Sequence, residues 1–361
     1  MSLNIKKKSI FYILAPANID TGGPKCLHQL AHELKNGLKK KVYMYYFPMF
    51  SEECKNPVHQ NYEIYKIPFT NKIEDSKDNL LIVPEINKAI KISKKYKNIQ
   101  KILWWLSIDF FLLTKFNDSF PKHTRSLIKV PFNLIRLFNK FTHYLFGNLS
   151  LPKYLKFIYL KYPFFNTLKL KDMKINLAHS LYQHSVLKSK NIKSLLLSDF
   201  IEDEFFESAE RLPLKEKKNI ICYNPRKSSV FMQKIIESNT EFKFIPLINF
   251  NKKELIKILS ESKIYMDFGF HPGQDQMPRE AAILKNCILT NKEGSAFYFD
   301  DVPINDEFKF EEKKKNLTKI NKTIKKIFND YNTQIDKFES YRKKLKDQKK
   351  TFKIQVNKIF N

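Results

Sequence analysis

The segment Asp267–Ala282 reads DFGFHPGQDQMPREAA and holds two of the chain's seven glycines, Gly269 and Gly273, together with Pro272 and Pro278. Glycine reaches backbone angles closed to other residues, and proline fixes its own. A chain so sparing of glycine places them here because it needs a loop of a particular shape. Gly22, Gly23 and Gly294 complete a set of five that falls in two regions only. KIYMDF before the loop reads as a strand, GFHPGQDQMP as irregular, and REAAILKN as a helix whose first turn holds Arg279 and Glu280. The next strand, CILTN, ends in a second loop of small residues, KEGSA, with Gly294 and Ser295. Two loops at the carboxyl ends of neighbouring strands, each followed by a helix start, make a pocket for a phosphate-bearing ligand.

The elements that must position these loops follow from periodicity. SIFYILAPA is a strand-length apolar run, NIDTGG a turn, and PKCLHQLAHELKNGLKK a helix with Leu27, Leu30, Ala31 and Leu34 on one face. KVYMYYFP, NLLIVPEI and KILWWLSI continue as strands, and their near-continuous apolar character predicts burial on both faces of a parallel sheet. A second series runs through NIICYNPRKSSVFMQKIIES, EFKFIPLINF, KKELIKILSES, KIYMDFGF and CILTN. Two such doubly wound units facing one another would leave a cleft at the carboxyl ends of their strands. IEDEFFESAERLPLKEKK reads as an acidic helical connector, and the last fifty residues as helical and mostly solvated.

Composition limits the alternatives. The chain has 361 residues with 43% hydrophobic content, enough for two cores. A net charge of +28 invites a nucleic-acid or polyanion reading. Nearly all of that charge is Lys, however, spread along the chain, and only six arginines occur. Cys26, Cys54, Cys222 and Cys287 are far apart and form no CxxC pair, so neither a disulfide framework nor a zinc site is suggested, and reduced thiols of a cytoplasmic protein are expected. The N-terminal apolar run is too short to span a bilayer and reads as a first strand. Residues 116–171 interleave Lys and Arg with Phe, Tyr, Leu and Ile and contain almost no acid. That pattern suits either a helical insertion packed on its domain or a surface that lies on anionic lipid.

YNPRKSS, HPGQDQMPREAA, TNKEGSAFYFDDVPI, TGGPKCLHQLAHEL, VPEI and WWLSID together resemble bacterial GT-B glycosyltransferases of surface polysaccharide biosynthesis, of the kind that build capsule or lipopolysaccharide O-chain. The resemblance runs from about Ile10 to Ile304, apart from the basic insertion. It implies an α/β GT-B fold with two Rossmann-like domains. An acceptor domain would occupy residues 1–200, including the insertion at 116–171, and a linker 201–218. A nucleotide-sugar domain would follow at 219–330, with a C-terminal helix at 331–361. It also implies a nucleotide-sugar cosubstrate, no metal and no further cofactor; the chain has no DxD motif. The lipid-linked or polysaccharide acceptor would be reached at the inner face of the membrane.

The resemblance places Glu280 on the donor ribose, since a carboxylate accepts two hydrogen bonds from a diol. Arg226 or Lys227 would neutralise the donor phosphates as the leaving group departs, and His271 would donate to a phosphate oxygen. Gly273, Arg279, Gly294 and Ser295 would complete the donor site, and Gly22 and Gly23 an acceptor or phosphate loop. A catalytic base would come from Asp20 or Asp109, with His28 on the following helix read as packed. Glu280 also has a plain structural reading as a favourable charge in the first turn of its helix, and Arg226 and Lys227 one as a solvated turn. Many retaining relatives carry two glutamates eight positions apart; Pro272 stands eight before Glu280, which leaves the stereochemical outcome open. The His271-Pro272 pair resembles the phosphate-holding dipeptide of CMP-sugar transferases, so a CMP-linked donor stands beside UDP-, GDP- and dTDP-sugars.

Overall fold

The structure is a computed structural model that describes residues 3–47, 56–119, 170–214 and 217–361, with the backbone alone for 116–119. These form two compact units, one of 3–119, 170–199 and 349–361, the other of 200–348. The expected basic insertion lies almost wholly outside the described residues.

The first unit is a six-stranded parallel sheet in the order β2-β1-β3-β4-β5-β6. Its strands are β1 (Ile10–Pro16), β2 (Lys41–Phe47), β3 (Leu80–Pro84), β4 (Gln100–Trp105), β5 (Ile175–Ala178) and β6 (Leu195–Leu196). Helices α1 (Gly22–His32), α2 (Asn87–Ser93), α3 (Ile108–Ser119) and α4 (Leu181–Lys188) cross between them. In β1, Phe11, Ile13 and Leu14 are buried, as are Leu80 to Val83 in β3 and Ile102 to Trp105 in β4. Strands sandwiched between helix layers have no solvent face, so the alternation of a half-exposed strand is missing from their sequences. Ile13 sits opposite Met44 on one side and Ile82 on the other, and Ile82 opposite Ile102, which carries one apolar row across four strands.

The second unit holds a five-stranded parallel sheet in the order β11-β10-β9-β7-β8. Its elements are α5 (Asp203–Glu210), β7 (Lys218–Tyr223), α6 (Val230–Glu237), β8 (Lys243–Pro246), α7 (Lys252–Glu261) and β9 (Ser262–Asp267). They continue with α8 (Gln276–Ile283), β10 (Cys287–Asn291), β11 (Lys309–Phe310), α9 (Leu317–Asn329), α10 (Tyr331–Asp336) and α11 (Glu339–Phe360). Beneath the sheet, buried Lys217 donates to the carbonyls of Leu259, Ser262 and Leu284 at 2.8, 2.8 and 2.5 Å. One ammonium thereby ties the ends of α7 and α8 to the start of β9.

Three sequence expectations need correction. Helix α8 begins at Gln276, inside the stretch read as irregular, because a proline in the first helical turn lacks only an N–H that would have no partner there. The acidic connector is helical over Asp203–Glu210 as expected, but its Phe205 is buried in the second core, so it packs as part of that unit. The terminal helices are not mostly solvated. Ile320, Ile324 and Ile327 form a buried stripe on α9, and Phe338, Tyr341 and Leu345 belong to the same core, while lysines occupy the outer faces. Further along α11, Phe360 meets Phe11 of β1 edge-on, with ring centroids 6.0 Å apart.

Candidate functional site

Three loops of the second unit leave the carboxyl ends of adjacent strands β7, β9 and β10. Ser229 N donates to Phe268 O at 2.7 Å, which brings the β7 loop against the β9 loop. Gly269 is required at that crossing, since a Cβ there would lie 2.0 Å from Lys227 O. Ser295 N donates to His271 O at 3.0 Å and Ser295 Oγ to Gly273 O at 2.5 Å, so the β10 loop closes on the β9 loop from the other side. Gly294 makes this possible with a left-handed φ of +54°; its Cβ would lie 1.9 Å from His271 O. Asn291 Nδ2 adds a bond to Gly269 O at 2.6 Å. The glycines sit where one loop backbone passes against another.

The charges inside these loops form a chain. Lys227 pairs with Asp275, whose second oxygen is 3.3 Å from His271 Nδ1. His271 Nε2 donates to Asp267 O at 3.1 Å, and Tyr265 OH donates to Asp267 Oδ2 at 3.2 Å. Burial alone would push the Asp275 carboxyl up, but Lys227 and His271 outweigh it and hold it at about 2. Burial likewise opposes the imidazolium of His271, yet Asp267 and Asp275 raise its pKa above the ordinary histidine value. Asp267 is itself raised, first by burial. His271, Asp275, Arg279, Thr290 and Tyr341 line a cavity no larger than a water molecule, so the loop is packed from behind.

Two expected ligand contacts are therefore turned inward. His271 is 2% exposed with both ring nitrogens facing protein acceptors, so it fixes the loop and does not reach out to a phosphate. Arg279 is buried as well. Its Nε donates to Asp275 O at 3.1 Å, and its terminal nitrogens donate to Gln274 O at 2.7 Å and Gln348 Oε1 at 3.2 Å. Lys227 remains, half-buried beside Asp275, while Arg226 is exposed and reaches Asn249 Oδ1 at 3.2 Å. Glu280 lies in the second turn of α8 and is buried.

The first unit collects polar groups at the carboxyl edge of its sheet. Gly22 and Gly23 open α1. Asp20, exposed before them, accepts from Asn61 Nδ2 at 2.5 Å and Tyr62 OH at 2.9 Å. Asp109 is buried in the first turn of α3 and accepts from Tyr182 OH at 2.9 Å. His28 is packed: its ring donates to Pro24 O at 2.7 Å and accepts from Tyr46 OH at 2.8 Å, and burial lowers its pKa to about 4.

Sequence reasoning gave no role to three other residues here, Glu85, His179 and Asp199. Glu85, just past β3, accepts from Leu106 N at 3.2 Å, and burial raises its pKa to about 7. His179, just past β5, has Nε2 at 2.9 Å from Asp199 Oδ1, and Cys26 Sγ is 3.9 Å from the same nitrogen. Asp267 and Asp275 were missed too, although their spacing of four on either side of His271 is visible in the quoted loop. Cys26–His179–Asp199 and Asp267–His271–Asp275 are both of metal-ligating composition. In the second cluster the Lys227 ammonium already pairs with Asp275.

No protein-family model matches the chain, and no curated protein matches it in sequence. Solved structures do match. Anabaena Alr3699/HepE in complex with UDP and glucose gives a TM-score of 0.58 at 9% identity, over 97% of this chain and 98% of that one. Its complex with UDP-glucose gives 0.55 at 9% identity, and its complex with UDP 0.52 at 8%, with the same coverage. The fold is GT-B. At such identities the likeness speaks for the fold alone. Within a GT-B chain, both clusters described above lie at the sheet edge where open α/β folds hold their ligands.

Proposed function

We propose that this chain is a glycosyltransferase that moves a sugar from a nucleotide-sugar donor to a lipid-linked or growing bacterial surface glycan. The observation that carries the reading is the trio of glycine-stitched loops at the carboxyl ends of β7, β9 and β10, with Lys227 held among them by Asp275. Such loops bring backbone amides and one ammonium to a common place, the chemistry that receives a diphosphate. In this reading Lys227, with Arg226 at the rim, takes the charge of the departing nucleoside diphosphate, so transfer needs no metal. Glu280 holds the ribose. HepE, bound to UDP-glucose on the same fold, supports UDP-glucose as the first donor to try.

The acceptor is amphipathic in this proposal, and the protein works as a peripheral one at the inner membrane face. The support is the basic aromatic sequence around Lys122, Lys129, Arg136 and Lys140, which lies outside the described residues. Among the described residues no helix is long and apolar enough to cross a membrane.

The test is a thermal-shift panel of UDP, GDP, dTDP, CMP and their sugar conjugates on the wild type, Lys227→Ala and Glu280→Ala. A nucleotide at a hundred times its Kd stabilises by about 2.7 kcal/mol. One nucleotide stabilising the wild type and neither variant is the expected result. Silence toward every nucleotide, together with tight and steeply salt-dependent binding of nucleic acid, would replace the proposal with a polyanion-binding role.

A further inference from the structure

Resting on that transferase reading, we infer that Asp275 and His271 act through Lys227, as positioning residues that set how much of its charge the donor's phosphates meet. All three belong to the second unit. Asp275 directly precedes α8, where an aspartate ordinarily accepts hydrogen bonds from the first turn of its helix. Here its carboxylate makes no such cap and turns to Lys227 and His271. The backbone beneath it is pinned, since Arg279 donates to Asp275 O at 3.1 Å and to Gln274 O at 2.7 Å. A carboxylate so held, and withdrawn from its helix, is committed to the two cations beside it.

The row runs outward from the core. The side chains of His271, Asp275 and Lys227 are 2%, 11% and 35% exposed, so the ammonium is the member that an anion in solvent can reach. Lys227 balances one Asp275 oxygen. The other takes no hydrogen bond among the described residues, and His271 Nδ1, at 3.3 Å, is the cation that offsets it. With His271 protonated, two cations face one carboxylate and positive charge is left for phosphate. With His271 neutral, Asp275 cancels Lys227.

The groups around His271 leave it free to make that difference. Asp267 and Tyr265 come from β9, and Arg279 of α8, Asp301 of the β10 loop and Tyr341 of α11 line the same small cavity. Arg279 keeps its charge throughout, and burial pushes both tyrosines up. Asp275 outweighs burial to hold Lys227 above its usual value, while burial raises Asp267. Burial opposes the His271 imidazolium, but Asp267 and Asp275 carry its titration above the ordinary histidine value.

The experiment is isothermal titration of the full chain from pH 6 to 8.5 with UDP-glucose, and with GDP-glucose, dTDP-glucose and CMP-sialic acid where it is silent. Every phosphate of these probes is esterified, so the ligand brings no phosphate titration of its own. Wild-type affinity should fall by about tenfold across the range, the order expected for one unit charge lost close to the phosphates. His271→Gln should bind with the weaker affinity at every pH, and Asp275→Asn with the stronger. In the wild type alone, histidine NMR should show His271 keeping its proton to higher pH when nucleotide sugar is bound, the reciprocal of the same linkage. Wild-type affinity that is flat with pH, a slope that survives in His271→Gln, weakening in both variants, or a His271 titration unmoved by ligand would each overturn the inference. Binding without pH dependence would leave the transferase reading standing. If none of the four probes binds at any pH, that reading itself fails and takes this inference with it.

Discussion

Gly294→Ala probes the loop architecture most directly. The glycine has φ +54°, and an added Cβ would lie 1.9 Å from His271 O and 2.8 Å from His271 C, both backbone atoms. Holding a residue other than glycine in the left-handed region costs about 1–3 kcal/mol. The His271 carbonyl must also move by about 1.5 Å to reach ordinary contact, which breaks its 3.0 Å bond from Ser295 N and forfeits about 1 kcal/mol more. The sum is about 2–4 kcal/mol, a fall of roughly 5–15 °C in the melting temperature of a unit this size. Differential scanning calorimetry reads it, with Gly23→Ala as the control. A Cβ at Gly23 meets only Leu106 Cδ1, at 3.7 Å, and the position is helical, so that variant should stay within about 1 kcal/mol of wild type. Equal melting of Gly294→Ala and wild type would refute the claim that the β10 loop is pressed against the β9 loop.

Two further expectations concern buried charge. Glu85 has its folded pKa raised to about 7 from 4.5, so its stabilisation is complete below pH 4.5 and is lost as pH rises through 7, a swing of about 3 kcal/mol. His28, lowered from 6.5 to about 4, acts oppositely, losing its contribution as pH falls below 6.5. The two slopes oppose each other between pH 4.5 and 6.5. Urea denaturation should therefore show Glu85→Gln gaining stability with rising pH across that window and His28→Gln losing it; parallel curves would contradict both assignments. Lys217→Met strips a donor from three buried carbonyls and should lower stability by about 2–4 kcal/mol in urea, with a shift below 1 kcal/mol counting against the clamp.

The strands were legible in the sequence because burial on both faces makes β1, β3 and β4 unbroken apolar runs. The glycine loops were legible because so few glycines occur elsewhere. What sequence could not supply was direction. His271 and Arg279 have the chemistry to bind phosphate, and only the path of the loop shows that their polar atoms face Asp267, Asp275, Gln274 and Gln348. Lys217 sits in the lysine-rich run LKEKK, where nothing in composition separates a clamp from a solvated charge. The same lysine density hid the apolar stripe of α9. Asp199 is twenty residues from the histidine it orients, and no local pattern announces a pairing made by two strand ends.

Phe360 carries a consequence for the order of synthesis. Residues 349–361 belong to the first unit, where Phe352, Val356 and Phe360 are buried and Phe360 packs on Phe11. On the ribosome, β1 emerges early but waits for this cover until the whole of 200–348 has been made. The later-encoded unit can thus finish folding before the earlier one, against the usual N-terminal-first order. Until then β1 lacks its final apolar cover, and removing residues 349–361 would leave it without that cover in the finished chain.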